Sequence, residues 1–311
     1  MKIDVDRVRI VEVGPRDGLQ NEKSTIPLDV KVAFIEALAE SGLRTVEAGA
    51  FVHPTWVPQM ADSAEVYAKI AKRDGVDYPM LVPNMTGLER AIECGVKSIA
   101  IFTAASESFN RRNINMGIDE SFEEFTPVAL RARDEGIRVR GYVSCACGCP
   151  YEGAVAPEKV LEVTARLMDL GCYEVSIGDT IGVGSPMQVQ GLLHLLTQVI
   201  PRSRLAMHFH DTRGMAVANT LAALELGVTV FDASAGGLGG CPYAPGASGN
   251  MATEDLVYLL DGLGIDHGVD LDKLVAASSV IAPWLDHPLP GKVVQACTKG
   301  TLAWGGRVGT N

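Results

Sequence analysis

The sequence predicts an α/β fold, a (β/α)8 TIM barrel with a C-terminal helical extension. Eight short apolar or β-branched runs alternate with longer helical stretches along the 311-residue chain, the pattern of a parallel sheet whose strands are joined by helices. Helical stretches end in glycine just before successive strands, as in "ESGLRTVE", "ECGVKSIA", "DEGIRVR", "DLGCYEVS" and "ELGVTVFD", and glycine is the residue that ends a helix at least steric cost. Eight such units close a parallel sheet into a barrel. A doubly wound open sheet competes, but no Gly-x-Gly-x-x-Gly follows the first strand to support it.

In chain order, the strand candidates are "RIVEVGPRD" (9–17), "TVEAGAF" (45–51), "YPMLVPN" (78–84) and "SIAIFTAAS" (98–106). They continue with "RVRGYVSC" (138–145), "EVSIGDT" (174–180), "RLAMHFHD" (204–211) and "VTVFDAS" (228–234). Between them, stretches such as "LDVKVAFIEALAESGL" and "PEKVLEVTARLMDLGC" carry apolar residues at three- and four-residue spacing, the period of a helix with one buried face. No linker or low-complexity segment divides the chain, so residues 1–311 form one domain, with the extension starting at about residue 265.

Composition narrows the function. Hydrophobic residues make up 47% and charged residues 21%, ordinary for a globular enzyme. A formal net charge of -11 without a Lys/Arg block speaks against a nucleic-acid partner, which needs a clustered basic surface. No apolar stretch approaches the roughly 20 residues that span a membrane. "MKIDVDRVRI" is too charged for a signal peptide, so the expected place is the cytoplasm. The seven cysteines then read as reduced thiols. "CACGC" (145–149) lacks the spacing of structural zinc pairs and is expected to continue a strand into a loop of small residues.

In a barrel of this kind the active site lies at the C-terminal strand ends. Here those ends carry Arg16, Asp17, Glu47, Asn84, Ser144, Asp179, Thr180, His208, His210 and Asp232. Helix caps account for Asn84 and Asp232, because Asn and Asp are favoured there. They do not account for Arg16, Glu47 or the two histidines. In "HFHD" the spacing of two puts both imidazoles on one face of a strand, and Asp17 is the carboxylate best placed to join them. An oxygen and nitrogen donor set without thiolate suits Mg²⁺ or Mn²⁺, although imidazole also suits Zn²⁺. "GGLGGCPYAPGASGN" (236–250) follows the eighth strand. It is expected to form a flap that carries Cys241 over the barrel mouth, with Asn250 at its far end.

Together "VGPRDGLQNEK" (13–23), "VEAGAFVHPTWVPQMAD" (46–62), "RGYVSCACGCPYEG" (140–153), "GCYEVSIGDTIGVG" (171–184), "HFHDTRG" (208–214) and "GLGGCPYAPGASGNMATEDLVYLLDGLGI" resemble the 3-hydroxy-3-methylglutaryl-CoA lyase family. "HFHD" alone is shared with related Claisen synthases, in which an Asn usually follows the second His; Asp211 favours the lyases. The resemblance implies a Mg²⁺- or Mn²⁺-dependent reverse Claisen-type cleavage of 3-hydroxy-3-methylglutaryl-CoA into acetyl-CoA and acetoacetate, chemistry of leucine breakdown, ketone-body formation or another acyl-CoA route. Carried onto this chain, it makes Asp17, His208, His210 and Asn250 the metal ligands. It gives Arg16 the enolate charge, Glu47 the adjoining polar network and Cys241 proton transfer, while Asp17 and His208 both remain open as the base. Arg16, Gln20, Ser144, Asp179 and Thr180 are the implied substrate contacts. It also implies a homo-oligomer, a dimer or larger, with "SSVIAPWLDHPLPGKVVQA" as one candidate surface. Gly49 and Ala50 stand where the family usually has small hydroxyl residues, and Cys147 where it often has a larger apolar one. Those changes imply a lost substrate contact and leave open a relative acting on another 3-hydroxyacyl-CoA.

Overall fold

The computed structural model describes residues 3–240 and 249–298. Eight strands form one parallel sheet: β1 (Arg9–Glu12), β2 (Gly49–Ala50), β3 (Met80–Leu81), β4 (Ser98–Ala104), β5 (Arg138–Ser144), β6 (Glu174–Asp179), β7 (Leu205–Phe209) and β8 (Val230–Ala233). All eight fall inside the predicted runs. The ladder runs from β2 through β7 to β8 and back to β1. Closure comes from Glu12, whose N–H donates to Thr45 O (3.0 Å) and whose carbonyl accepts from Glu47 N (2.8 Å). The sheet is therefore a barrel, wrapped by helices.

The strands stop short of the predicted ends, and the reason is local. β1 ends at Glu12, and Gly14–Gly18 form a single wide helical turn that begins with Pro15 at its second position. Proline supplies no N–H to extend a ladder, so the chain turns there. Arg16 and Asp17 then stand above the barrel instead of within it. The run after β5 continues into a loop, as the sequence predicts, in which Cys145, Cys147 and Cys149 are buried. Cys145 takes a left-handed backbone, φ 60°.

Strand alternation sorts the side chains into two sets. Met207 and Phe209 of β7 join the apolar layer beneath the helices. The residues of the opposite parity, Tyr142, Ser176, Ala206, His208 and Asp232, face the barrel axis, and the parallel registers Tyr142↔Ser176 and His208↔Asp232 hold them in layers. The helical extension is present as Leu271–Ile281 and Lys292–Thr298, joined through a short turn at Ala282–Trp284. Among the described residues, no helix is long and apolar enough to cross a membrane.

Two carboxyls lie under the outer layer. Glu12 accepts from Gly14 N (2.7 Å), Ala235 N (2.9 Å) and Thr253 Oγ1 (2.6 Å), tying β1 to the segments before and after the glycine-rich loop. Glu254 accepts from Gly236 N (2.8 Å) and from the Ser278 hydroxyl. Burial lifts Glu12 to about 8 and Glu254 to about 7, against the hydrogen bonds that favour their charged forms. A carboxyl that holds its proton more tightly in the fold than in the unfolded chain adds stability that is complete below its ordinary value of 4.5 and lost as the pH climbs through the folded value. The melting temperature should accordingly fall between about pH 5 and 8, and Glu12→Gln should flatten that fall. A variant curve parallel to the wild type would remove Glu12 as its source.

Candidate active site

The C-terminal ends of the strands enclose a cavity of about 430 Å³, whose lining includes Arg16, Asp17, Gln20, Ser144, Thr180, His208 and His210. Trp56, 76% exposed, also lines it and marks its rim, with the His53 ring 5.8 Å away between centroids.

Arg16 is held on two sides. Its Nε donates to Glu47 Oε2 (2.7 Å) and Nη1 to Asp17 Oδ1 (2.7 Å). Burial opposes its charge, but these two carboxylates outweigh that and raise its pKa further. Glu47 is buried and reaches the site through Arg16, and it also accepts from Tyr142 Oη (2.9 Å). Asp17 is half-buried. Burial pushes its carboxyl up, yet Arg16, His208 and His210 together bring it down to about 2.

The two histidines meet as the spacing predicts. Their Nε2 atoms are 3.2 Å apart, and Asp17 Oδ2 is 4.0 Å from His208 Nε2. Burial lowers the pKa of His208, but the Asp232 hydrogen bond and charge outweigh it and raise it overall. His210 goes the other way, pulled to about 4 by burial and by the neighbouring His208.

Asn250 arrives from across the chain. Met251 N donates to Phe209 O (2.9 Å) and Asp211 N to Gly249 O (3.1 Å). The segment leaving the glycine-rich loop thus runs beside the end of β7 and pairs Asn250 with His210. The Asn250 amide donates to Asp17 Oδ2 (2.9 Å) and Leu238 O (3.0 Å). Among the described residues, Asn250 Oδ1 and His210 Nδ1 are buried without a hydrogen-bond partner, a costly state for polar atoms in a protein interior. Single donor atoms of Asp17, His208 and His210 lie within 4.8 Å of one another. Two carboxamide or carboxylate oxygens and two imidazole nitrogens fit a hard divalent cation.

The remaining predicted residues are placed as follows. Gln20 lines the cavity with Oε1 buried and without a partner among the described residues. Ser144 and Thr180 line it too, and Thr180 Oγ1 accepts from Cys145 N (2.8 Å). Asp179 is not among the lining residues: its carboxylate accepts from Val183 N (3.0 Å) and Gly184 N (2.9 Å) and fixes that turn. Asn84 is a helix cap that accepts from Gly87 N (2.9 Å). Cys241 lies outside the described residues, with residues 242–248 of the same loop. Above Gly49 the space is filled, since a Cβ there would lie 2.7 Å from Ser63 Oγ.

One expectation is corrected. Asp232 caps nothing. It faces the barrel axis, fully buried, where it binds Arg140 by Nη2 to Oδ1 (2.7 Å), accepts from Ser176 Oγ (2.7 Å) and meets His208 Nδ1 (3.2 Å). Against burial, the Arg140 guanidinium and His208 hold its carboxyl well below the usual range. Arg140 and Tyr142 were also missed. The available signal was a cation and a hydroxyl at alternate positions of "RVRGYV", on the face that a closed barrel turns inward.

An HMGL-like family model matches residues 7–281. A mitochondrial hydroxymethylglutaryl-CoA lyase of Bos taurus is 56% identical over 293 residues, 94% of this chain and 90% of that protein. The crystal structure of a hydroxymethylglutaryl-CoA lyase from Pseudomonas aeruginosa superposes with a TM-score of 0.94 at 51% identity, covering 96% of this chain and all of that one. An HMG-CoA lyase of Acinetobacter baumannii, solved with coenzyme A and 3-methylmalate, gives 0.90 at 36% identity, over 95% of this chain and 97% of the other.

The placement of Asn250 rests on a backbone contact that a side chain would break. A Cβ on Gly249 would run into the carbonyl oxygens of Gly237 and Gly239. Gly249→Ala should cost roughly 1–3 kcal/mol of stability and remove any rise in melting temperature on adding Mn²⁺. An unchanged Mn²⁺ response would show that Asn250 is not needed for binding.

Proposed function

The chain belongs to the HMGL-like family, and on that premise we propose that it cleaves 3-hydroxy-3-methylglutaryl-CoA to acetyl-CoA and acetoacetate in a reverse Claisen-type reaction that uses Mg²⁺ or Mn²⁺. The observation that carries this reading is the convergence of Arg16, Asp17, His208 and His210 on one cavity, with the Asn250 amide on Asp17 behind them. Electrostatics support a cation there. At formal charge, three guanidinium groups in contact (Arg9, Arg16, Arg140) face four carboxylates (Asp17, Glu47, Glu174, Asp232). One negative charge is left over, and Asp17 is the carboxylate of the four that lines the cavity.

A divalent cation held by Asp17, His208, His210 and Asn250 would make the substrate's C3 hydroxyl more acidic. The hydroxyl proton passes to Asp17, whose carboxylate keeps spare lone pairs beside a bound cation, or to His208 where its Nε2 is not itself on the cation; the facing atoms Oδ2 and Nε2 are 4.0 Å apart. The C2–C3 bond breaks, its electron pair goes to C2, and the C3 oxygen becomes the new ketone of acetoacetate. The departing thioester carries its charge as an enolate. Arg16, permanently cationic and fixed in plane by Glu47 and Asp17, stands ready to take the enolate oxygen. Protonation at C2 then gives acetyl-CoA, a step for which the sequence offers Cys241. Gln20, Ser144 and Thr180 supply neutral polar contacts for the acyl group, and the CoA arm leaves past the rim at Trp56 and His53.

Purified protein should release acetyl-CoA from 3-hydroxy-3-methylglutaryl-CoA with Mg²⁺ or Mn²⁺, should stop after chelation, and should be inactive as His210→Ala. No release with Mn²⁺ still bound would move the substrate to another 3-hydroxyacyl-CoA; no release and no binding would end the lyase reading. Arg16→Gln should lower kcat by roughly 10²–10³, about 3 kcal/mol of transition-state stabilisation. Near-normal turnover in that variant would take Arg16 out of the mechanism.

A further inference from the structure

His208 is held at both ends of its ring. Nε2 faces His210 and Asp17, while Nδ1 lies 3.2 Å from Asp232 Oδ2. That same oxygen accepts from Ser176 Oγ (2.7 Å) and Arg140 Nη1 (3.2 Å), and Oδ1 accepts from Arg140 Nη2 (2.7 Å). A carboxylate so surrounded can only accept, so the hydrogen between Asp232 and the ring belongs to Nδ1. A neutral His208 then has a bare lone pair at Nε2, turned toward the cavity. Both roles open to His208, cation ligand and proton acceptor, need that lone pair.

Asp232 is itself fixed. Arg140 is clamped on its other side by Glu174 Oε1 (2.8 Å) and donates to Tyr142 Oη (2.7 Å). Tyr142 passes the chain to Glu47, Glu47 to Arg16 and Arg16 to Asp17. The hydrogen bonds thus run beneath the cavity from His208 round to Asp17. A ring loosened at Asp232 could flip its tautomer and put a hydrogen where the lone pair is required.

We propose that Asp232 is a positioning residue: it locks His208 as the Nδ1–H tautomer, with Arg140 holding Asp232 in register. It makes no contact with substrate or cation and acts through His208 alone. The inference rests on the reading of His208 as a site residue, and its test separates the two.

The first measurement uses unaltered, ¹⁵N-labelled protein with and without Mg²⁺. Long-range ¹H–¹⁵N spectra of the imidazoles, with His208 assigned by its loss in His208→Gln, should show the ring hydrogen on Nδ1. A hydrogen on Nε2 would overturn the proposal, whether or not any variant folds. The second compares two variants by Mn²⁺ titration. Asp232→Asn offers the ring an amide donor in place of a carboxylate and should weaken Mn²⁺ binding roughly 10–100-fold, with kcat falling and KM within about threefold. Glu174→Gln disturbs Arg140 from the side away from His208 and should keep Mn²⁺ affinity within about threefold. Equal losses in both variants would reduce Asp232 to a fold-stabilising partner of Arg140, and unchanged affinity in Asp232→Asn would remove its role. A wild type that binds no Mn²⁺ would defeat the metal reading, while the imidazole spectrum would still decide the tautomer.

Discussion

A guanidinium buried on the axis of the barrel is the constraint around which this site is arranged. Arg140 is about 1% exposed, and a charge taken that far from water is tolerable only with good partners on every side. Glu174, Asp232 and Tyr142 supply them. Removing one partner of such a group typically costs about 3–5 kcal/mol, because the other charge is left bare. The interior of β5, β6 and β8 is therefore an interlocked polar layer. Its upper edge consists of the groups that do the chemistry: His208 on Asp232, and Arg16 on Glu47.

This arrangement also explains why similar groups behave differently. His208 and His210 sit two residues apart on one strand face, yet their pKa values move in opposite directions. His208 is backed by the Asp232 carboxylate, while for His210 burial and the neighbouring imidazole outweigh the Asp17 carboxylate. Glu12 and Asp232 are both fully buried carboxyls, and they too diverge. Glu12 is met by neutral donors alone and is pushed up; Asp232 is met by a cation and is pulled down. Burial sets the cost of a charge in both cases, and the partner decides the outcome.

The second dependence is on backbone closure. Glu12 joins β1 to the strand region before β2, and its side chain reaches the segments on both sides of the glycine-rich loop. Asn250 lies 233 residues from Asp17 in sequence, yet its amide is 2.9 Å from that carboxylate. Gly249 makes the approach possible, since the carbonyls of Gly237 and Gly239 fill the space a side chain would need.

The sequence by itself determined the barrel, its eight strands in order, the helical extension and, at the cavity, Arg16, Asp17, Gln20, Ser144, Thr180, His208 and His210. Periodicity and glycine-ended helices are local signals, set by backbone sterics and by which face of an element meets water, and they survive without knowledge of the fold. The spacing of His208 and His210 is of the same kind. The sequence misplaced the strand ends, because Pro15 and the turn after it outweigh the apolar run that precedes them. It took Asp232 for a helix cap, and the alternation in "RVRGYV" did not by itself single out Arg140 or Tyr142. Only the tertiary structure could decide those three. Whether a mid-strand charge is a solvated residue or the centre of a buried network depends on partners 34 and 92 residues away, which meet when the sheet curls until its first and last strands touch.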